Sequence, residues 1–322
     1  MSDFNGNIAV IDVGSNSVKM RIGRLGSEGK LLIVRDETEV TKLGRFVLSD
    51  IQGKNFKREN FVKTIDAIKK MLSQARHASE IILVGTMALR AADNSEEFLN
   101  AVRDETGYNI RILSGQEEAE YSWLGAIHDI SKSEDDNIVM FDSGGGSTEF
   151  VFGRGSKIEK VTSVSIGAVN ITEKFFSKHH EIIKRRNIDQ ALEYIAEKLH
   201  EYGIQNLCEN RETVKIIGVG GGVVAMAGVK SANEIFMPSN LHGMRITQRD
   251  VRRQIELYSS LTLRERQNII GLPPNRADVI LGSACIVHEI LKNFALSRHE
   301  CFCTVSINGL RNGILIERFL QR

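Results

Sequence analysis

The chain has 322 residues, 42% of them hydrophobic and 26% charged, with a formal net charge of +1. That length points to about two soluble globular domains, and the near-neutral charge gives no global field for nucleic acid or an anionic membrane. The longest apolar stretch, Ile216 to Val229, is too short and too rich in glycine to span a bilayer, and the first residues lack the basic and apolar regions of a secretory leader, so a cytoplasmic protein with neither nucleic acid nor membrane as partner is expected.

Residues 7–40 carry three strand-type runs, and 42–55 read as loop. Between Arg58 and Ala75 the apolar residues Phe61, Ile65, Ile68 and Leu72 lie on one helical face. Glu80–Val84 is a buried strand ending in Gly85-Thr86, Asn94 and Glu97 form a helix-start pair, and Asn109–Leu113 is another strand. Ser114–Trp123 then passes through a glycine turn into a helix. In the second half, strands are expected at Asn137–Phe141, Phe150–Phe152 and Val161–Val164, with a helix following Ser165-Ile-Gly167-Ala168 as far as Phe176. A long helix over Asn187–Cys208 leads to a strand at Thr213–Ile217, a Gly218-Val-Gly-Gly-Gly222 turn and a helix over Val223–Val229. Residues 231–246 read as loop and 247–268 as helices. After the break at Gly271–Pro274 come a helix over Arg276–Leu296, a strand over Cys301–Ile307 and a helix over Gly309–Phe319. The four cysteines, Cys208, Cys285, Cys301 and Cys303, have no metal-site spacing and read as core thiols.

The most informative stretch is Asp142-Ser-Gly144-Gly145-Gly146-Ser147-Thr148-Glu149, a tight turn between two strands. Glycines let backbone N–H groups approach an anion, and Ser147 and Thr148 add hydroxyls. Flanking acids repel a phosphate unless a cation lies between, so the turn reads as a site for phosphate with Mg²⁺, or else as a hairpin that binds nothing. The start of the chain echoes it: Asn7–Gly23, with Asp12, Gly14 and Ser17, matches Asn137–Gly153, with Asp142, Gly144 and Ser147. A third apolar run follows each hairpin, so one three-stranded unit occurs twice. Its two turns are expected to oppose one another across a cleft.

Glu117, Glu118 and Glu120 fall in the first turns of a helix, where acids complement the helix dipole. Alternatively, one of them is a general base for water attacking phosphorus. The Gly220-Gly221-Gly222 turn opens a helix whose N-terminus would suit an anion or nucleotide, or serves packing alone. The sequence holds neither a P-loop nor a dinucleotide fingerprint in a first βαβ unit. His242 is either a substrate-side or a structural loop histidine, and His179-His180 and Lys184-Arg185-Arg186 read as solvated.

The two Asp-x-Gly turns, the third glycine turn and the doubled units together resemble the actin-like ATPase superfamily. Within it, Asp12–Ser17, Gly85–Arg90, Ser114–Ala119, Asp142–Glu149, Gly167-Ala168, Leu241–Gly243, Arg276–Ile280 and Gly309–Gly313 occur in an order that resembles the exopolyphosphatase / guanosine pentaphosphate phosphohydrolase (Ppx/GppA) family across nearly the whole chain. The resemblance, to the short members of the family, implies an α/β fold with two ribonuclease-H-like (actin-like ATPase) domains of βββαβαβα type facing each other across a cleft. These would comprise residues 1–128 plus about 310–322, and residues 129–309.

The resemblance also implies Mg²⁺-assisted hydrolysis that releases terminal orthophosphate from polyphosphate, guanosine pentaphosphate or both. Glu118 matches the catalytic base, while Asp142 and Glu149, with Asp12, match the acids that serve metal and water. Ser15, Asn16 and Ser17, and Gly144, Gly145, Gly146, Ser147 and Thr148, match the two phosphate loops, and Arg90 a substrate-side arginine. Lys19, Gly220, Gly221 and Arg276 complete the expected substrate-binding set. Departures from the family pattern stand at Lys19 (commonly Arg or His), Glu120 (often Arg), Asn170 (commonly Arg) and Ile307-Asn308 (usually an Asp-containing pair). They bear on substrate preference and rate. Two other readings stay open: an ATPase or kinase of the same superfamily, and a non-catalytic sensor of polyphosphate or guanosine tetra- or pentaphosphate. A homodimer is compatible with the sequence.

Overall fold

In a computed structural model of the chain, residues 6–26, 30–45, 47, 54–130, 135–176, 180–207, 214–233, 235–295 and 301–321 are described. The chain forms two compact units, Met1–Gly125 with Leu310–Arg322, and Ala126–Gly309.

The first unit holds β1 (Ile8–Val13), β2 (Ser17–Leu25), β3 (Leu31–Val40), α1 (Arg58–Gln74), β4 (Glu80–Gly85), α2 (Met87–Ala91), α3 (Ser95–Thr106) and β5 (Arg111–Ile112), followed by α4 (Gly115–Ile130), which runs into the second unit. Its sheet has the order β3-β2-β1-β4-β5. β2 is antiparallel to both neighbours, while β4 is parallel to β1 and β5. This is the ribonuclease-H-like arrangement. β1 is buried throughout, and apolar but for Asp12, because both faces of the sheet are covered. Ala9, Ile11 and Val13 pack with Phe61, Ile65 and Ile68 of α1 and Phe98 of α3. Ile8 and Val10, on the opposite face by the two-residue period of a strand, pack with Leu310, Ile314, Leu315 and Phe319 near the C-terminus.

The second unit repeats the plan with β6 (Asn137–Ser143), β7 (Thr148–Arg154), β8 (Lys157–Val164), α5 (Ala168–Phe175), α6 (Arg185–Glu201), β9 (Lys215–Val219), α7 (Gly221–Ser231), β10 (Arg245–Thr247), α8 (Gln248–Ser259), α9 (Leu263–Arg266), α10 (Ile280–Asn293) and β11 (Phe302–Val305); α11 (Leu310–Leu320) belongs to the first unit. The sheet order is β10-β11-β9-β6-β7-β8. Its core joins Phe141 and Phe150 of the sheet to Ile195 of α6, Tyr258 of α8 and Ile290 of α10.

The repeat extends to pairing detail. Asp12 lies opposite Lys19 and Val13 opposite Val18, as Asp142 lies opposite Glu149 and Ser143 opposite Thr148. Each second strand slips register against its third at the same place, Ile22/Gly23 and Phe152/Gly153.

Local differences from the sequence reading have local causes. The Gly85–Arg90 motif contains the short α2. The expected loop 231–246 includes β10, an edge strand paired antiparallel with β11. The helical run 247–268 divides into α8 and α9, each with its own threonine capping box, Thr247 with Asp250 and Thr262 with Glu265. The last long helix begins at Ile280 rather than Arg276, because Pro274–Arg276 forms a 3-10 turn. Cys285 and Cys303 are buried and Cys301 is partly so, all as free thiols; Cys208, His179 and Thr213 lie outside the described residues.

Candidate active-site residues

In the first unit, β1 ends at the Gly14–Ser17 turn, closed by a hydrogen bond from Gly14 N–H to the Ser17 carbonyl at 3.1 Å. Asp12, Ser15, Asn16 and Ser17 are all buried. The turn's carbonyls are held by the segment after β3: Asn16 O accepts from Thr41 and Lys42 N–H at 3.1 and 3.0 Å, and Ser15 O from Gly44 N–H at 2.8 Å. An anion-binding turn must keep its acceptors turned away from the anion, and this backbone does so.

The three acids of α4 separate by role. Glu117 makes a capping box with Ser114, accepting from its N–H at 2.8 Å while Glu117 N–H donates to the Ser114 hydroxyl at 3.1 Å. The Ser114 backbone N–H, then its hydroxyl, hold the Glu117 carboxyl below its ordinary value, with help from Arg111. Glu120 is exposed and accepts from Gln116. Glu118 is partly buried and receives Arg90 Nη1 at 3.0 Å, the same nitrogen also donating to the Leu113 carbonyl. The resemblance names Glu118 and Arg90 for separate tasks; they form one ion pair here.

In the second unit, the Gly144–Ser147 turn closes in the same way, Gly144 N–H to Ser147 O at 2.9 Å. Its carbonyls point to the start of α5. Gly144 O accepts from Ala168 N–H at 3.0 Å and Gly145 O from Val169 N–H at 2.7 Å. Gly146 O accepts from Asn170 Nδ2 at 3.0 Å. Gly167 lies against the turn so closely that a Cβ there would sit 2.4 Å from Gly145 C and O and Gly146 N. Thr148 is fully buried and its hydroxyl donates to the Ile166 carbonyl at 2.6 Å. Its proton is therefore committed within the protein, whereas Ser147 has no such bond among those described.

Glu149 is 1% exposed and accepts from the Ser163 hydroxyl at 2.9 Å. Directly opposite residues of an antiparallel pair share a face, and like charges so placed are destabilising without a cation. Asp142 and Glu149 are such a pair, whereas the matching Asp12 has Lys19 opposite. Among the described residues no group of three or more His, Cys, Asp or Glu side chains is placed to hold a metal. Mg²⁺ commonly takes one or two carboxylates together with substrate phosphate and water. The oxygen donors of Asp142 and Glu149, and the buried Asp12 carboxylate, are of the kind that suits such an ion.

The third glycine turn is closely packed. Gly220 has φ +109°, and a Cβ there would lie 2.3 Å from the Ser143 carbonyl. A Cβ on Gly221 would meet the Arg276 guanidinium at 2.6 Å, which places that charge at the start of α7. Burial lowers the Arg276 pKa from its ordinary value, with Asp278 acting in the opposite direction. His242 Nδ1 accepts from Ile307 N–H at 3.4 Å, a structural link within the unit.

Comparison with known proteins follows this geometry. The chain is 31% identical over 319 residues to a bifunctional 3-dehydroquinate synthase/phosphatase of Fusobacterium nucleatum, covering 96% of this chain but spanning only 46% of that relative. It is 27% identical to exopolyphosphatase 2 of Mycobacterium tuberculosis, over 96% of this chain and 97% of the relative. The crystal structure of the Aquifex aeolicus Ppx/GppA family member superposes with a TM-score of 0.77 at 28% identity, over 98% of both chains. An exopolyphosphatase structure from Cytophaga hutchinsonii shares the fold with a TM-score of 0.85 at 22% identity, also over 98% of both. The pattern described as the Ppx/GppA phosphatase family matches residues 25–322, and the chain belongs to that family.

Proposed function

We propose that this chain releases terminal orthophosphate from inorganic polyphosphate, guanosine pentaphosphate or both, by attack of water assisted by Mg²⁺. The family's reaction depends on a divalent metal; Mg²⁺ is assigned from the donor chemistry of Asp142 and Glu149. The observation that carries the reading is the 144–148 turn, whose glycine carbonyls are tied back to α5 beside the Asp142 and Glu149 carboxylates, which lie opposite each other in the hairpin. Mycobacterial exopolyphosphatase 2 and the guanosine-5'-triphosphate,3'-diphosphate pyrophosphatase of Photobacterium profundum, both relatives of this chain, are named for the two substrate classes.

In this mechanism the 144–148 turn offers backbone N–H groups to phosphate oxygens, and Ser147 adds its hydroxyl. Ser163 fixes the Glu149 carboxylate through the bond to Oε1. Asp142 and Glu149 would hold Mg²⁺, which when bound would supply positive charge against that building on the phosphoryl oxygens. Glu118 accepts a proton from the attacking water, and Arg90, which pairs with it at 3.0 Å, is a cation for a phosphate to recruit. Little covalent chemistry is required of the protein, because positioning and charge supply most of phosphoryl transfer.

The test is phosphate release by the purified protein with Mg²⁺ from polyphosphate, guanosine pentaphosphate and ATP in parallel, each with a chelator control. Chelator-sensitive release from either of the first two, and not from ATP, is expected. Release from ATP alone would shift the reading to an ATPase of the superfamily, and tight binding of the polyanions without release would make the chain a sensor.

A further inference from the structure

We infer that Asn170 is a positioning residue for the phosphate turn, holding the third glycine carbonyl out of the anion's path; the inference rests on the reading of residues 144–148 as a phosphate loop. The first two carbonyls of the turn are held by consecutive backbone N–H groups, those of Ala168 and Val169. The third, Gly146 O, has a side chain instead: Asn170 Nδ2 donates to it at 3.0 Å and also to Ser165 O at 3.1 Å. The same carboxamide accepts from Gly167 N–H through Oδ1 at 2.6 Å. One planar group thus joins the turn, the strand exit and the first turn of α5, and its orientation is set because one end accepts and the other donates.

The geometry gives this a consequence for anion binding. A peptide whose carbonyl turns toward an anion withdraws the N–H of the next residue, here Ser147, from it. Gly146 has no side chain to resist that rotation. The Asn170 bond therefore holds both a harmful acceptor away and a useful donor in place. An arginine in this place could donate to carbonyls but would have no acceptor for Gly167 N–H, so the carboxamide is what makes the clamp two-ended.

Asn170→Asp keeps the shape and the acceptor for Gly167 but loses the donor to Gly146 O and Ser165 O and adds a negative charge. Asn170→Ala removes both ends. The probe is inorganic tripolyphosphate with Mg²⁺, followed by binding calorimetry and by steady-state phosphate release, with amide hydrogen exchange of residues 143–148 measured alongside. The clamp predicts that KM and the dissociation constant rise about tenfold in the uncharged Asn170→Ala while kcat stays within about threefold, the pattern of lost uniform binding, with binding by Asn170→Asp weaker still. Exchange should quicken in the turn and remain unchanged in α10. Binding within twofold of wild type in both variants, or faster exchange throughout the unit, would overturn the inference while leaving hydrolysis intact. A wild-type protein that neither binds nor hydrolyses tripolyphosphate would instead remove the phosphate-loop reading, and the clamp with it.

Discussion

In the proposed mechanism Glu118 carries the heaviest chemical demand of any single residue, and Arg90 shows how it is held. A carboxylate at 3.0 Å from Arg90 is oriented by that contact. In the proposed mechanism a phosphate that draws on Arg90 would loosen that contact. Replacing Glu118 by Gln keeps the shape and the contact to Arg90 through its amide oxygen. Turnover should fall by roughly 10²–10⁴-fold, with polyphosphate still bound, as read by single-turnover assays beside equilibrium binding. Undiminished turnover would remove Glu118 from the base role. Thr148 has a different duty. Thr148→Val leaves the Ile166 carbonyl without its donor in a dry site, which is expected to cost about 1–3 kcal/mol in urea unfolding, whereas Thr148→Ser should cost less than half of that. The residue types around the turns were readable in the sequence, but these commitments were not. A Glu–Arg pair separated by a helix and a strand, or a hydroxyl donated across a sheet edge, is a fact of tertiary geometry. Asn170 makes the same point: as a letter it reads as a lost positive charge, and only its three backbone partners show what it does.

At the scale of elements, the doubled hairpin is the clearest case of sequence prescribing structure. Matching letters at Asn7–Gly23 and Asn137–Gly153 correspond to matching register, turn closure and register slip. Alternating apolar positions specify which face of a strand is buried, and a one-residue slip would exchange the faces. Elements without such redundancy were hidden. β10 is three residues long and gains its status only by pairing with β11, and α2 is a single turn and a half set by Thr86 and its neighbours. Neither has a period long enough to read. The Gly167-Ala168 pair was legible as a motif, and the structure supplies its reason. Gly167→Ala would drive a methyl group onto the peptide between Gly145 and Gly146, backbone that can yield only by deforming the turn. Overpacking of this kind is expected to destabilise by about 1–3 kcal/mol. Polyanion affinity should fall further than stability alone explains, measured by calorimetry at a temperature where the variant remains folded. Unchanged affinity in a folded Gly167→Ala protein would mean that the turn's geometry does not govern binding.

Across the whole chain, the first unit depends on residues from both termini. α11 covers one face of the β1 sheet with Leu310, Ile314, Leu315 and Phe319, and a polar clamp secures it. Arg21 on β2 donates to Asn312 Oδ1 at 2.6 Å and to Asp36 on β3, and Arg311 donates to Asp36 and, at 3.0 Å, to the Met20 carbonyl. Burial, followed by the neighbouring Arg311, lowers Arg21 to about 10. Desolvation pushes the Asp36 carboxyl upward, but Arg311 and Arg21 together outweigh it and leave the group below its ordinary value. A carboxyl depressed in the folded state contributes stability that is present above its unfolded pKa, about 4, and is lost as pH falls through the folded value. Asp36→Asn keeps the side-chain shape but leaves two guanidinium groups without their shared counter-charge. The wild-type protein should therefore melt above Asp36→Asn at pH 7, and the gap should narrow as pH is lowered through and below the carboxylate range. Hydrogen exchange of the α11 amides should show the same convergence, because the clamp holds that helix. A gap in melting temperature that stays constant from pH 7 to pH 3 would mean that Asp36 acts through shape and hydrogen bonding alone, and the ionic account of how the C-terminal helix is retained would fail.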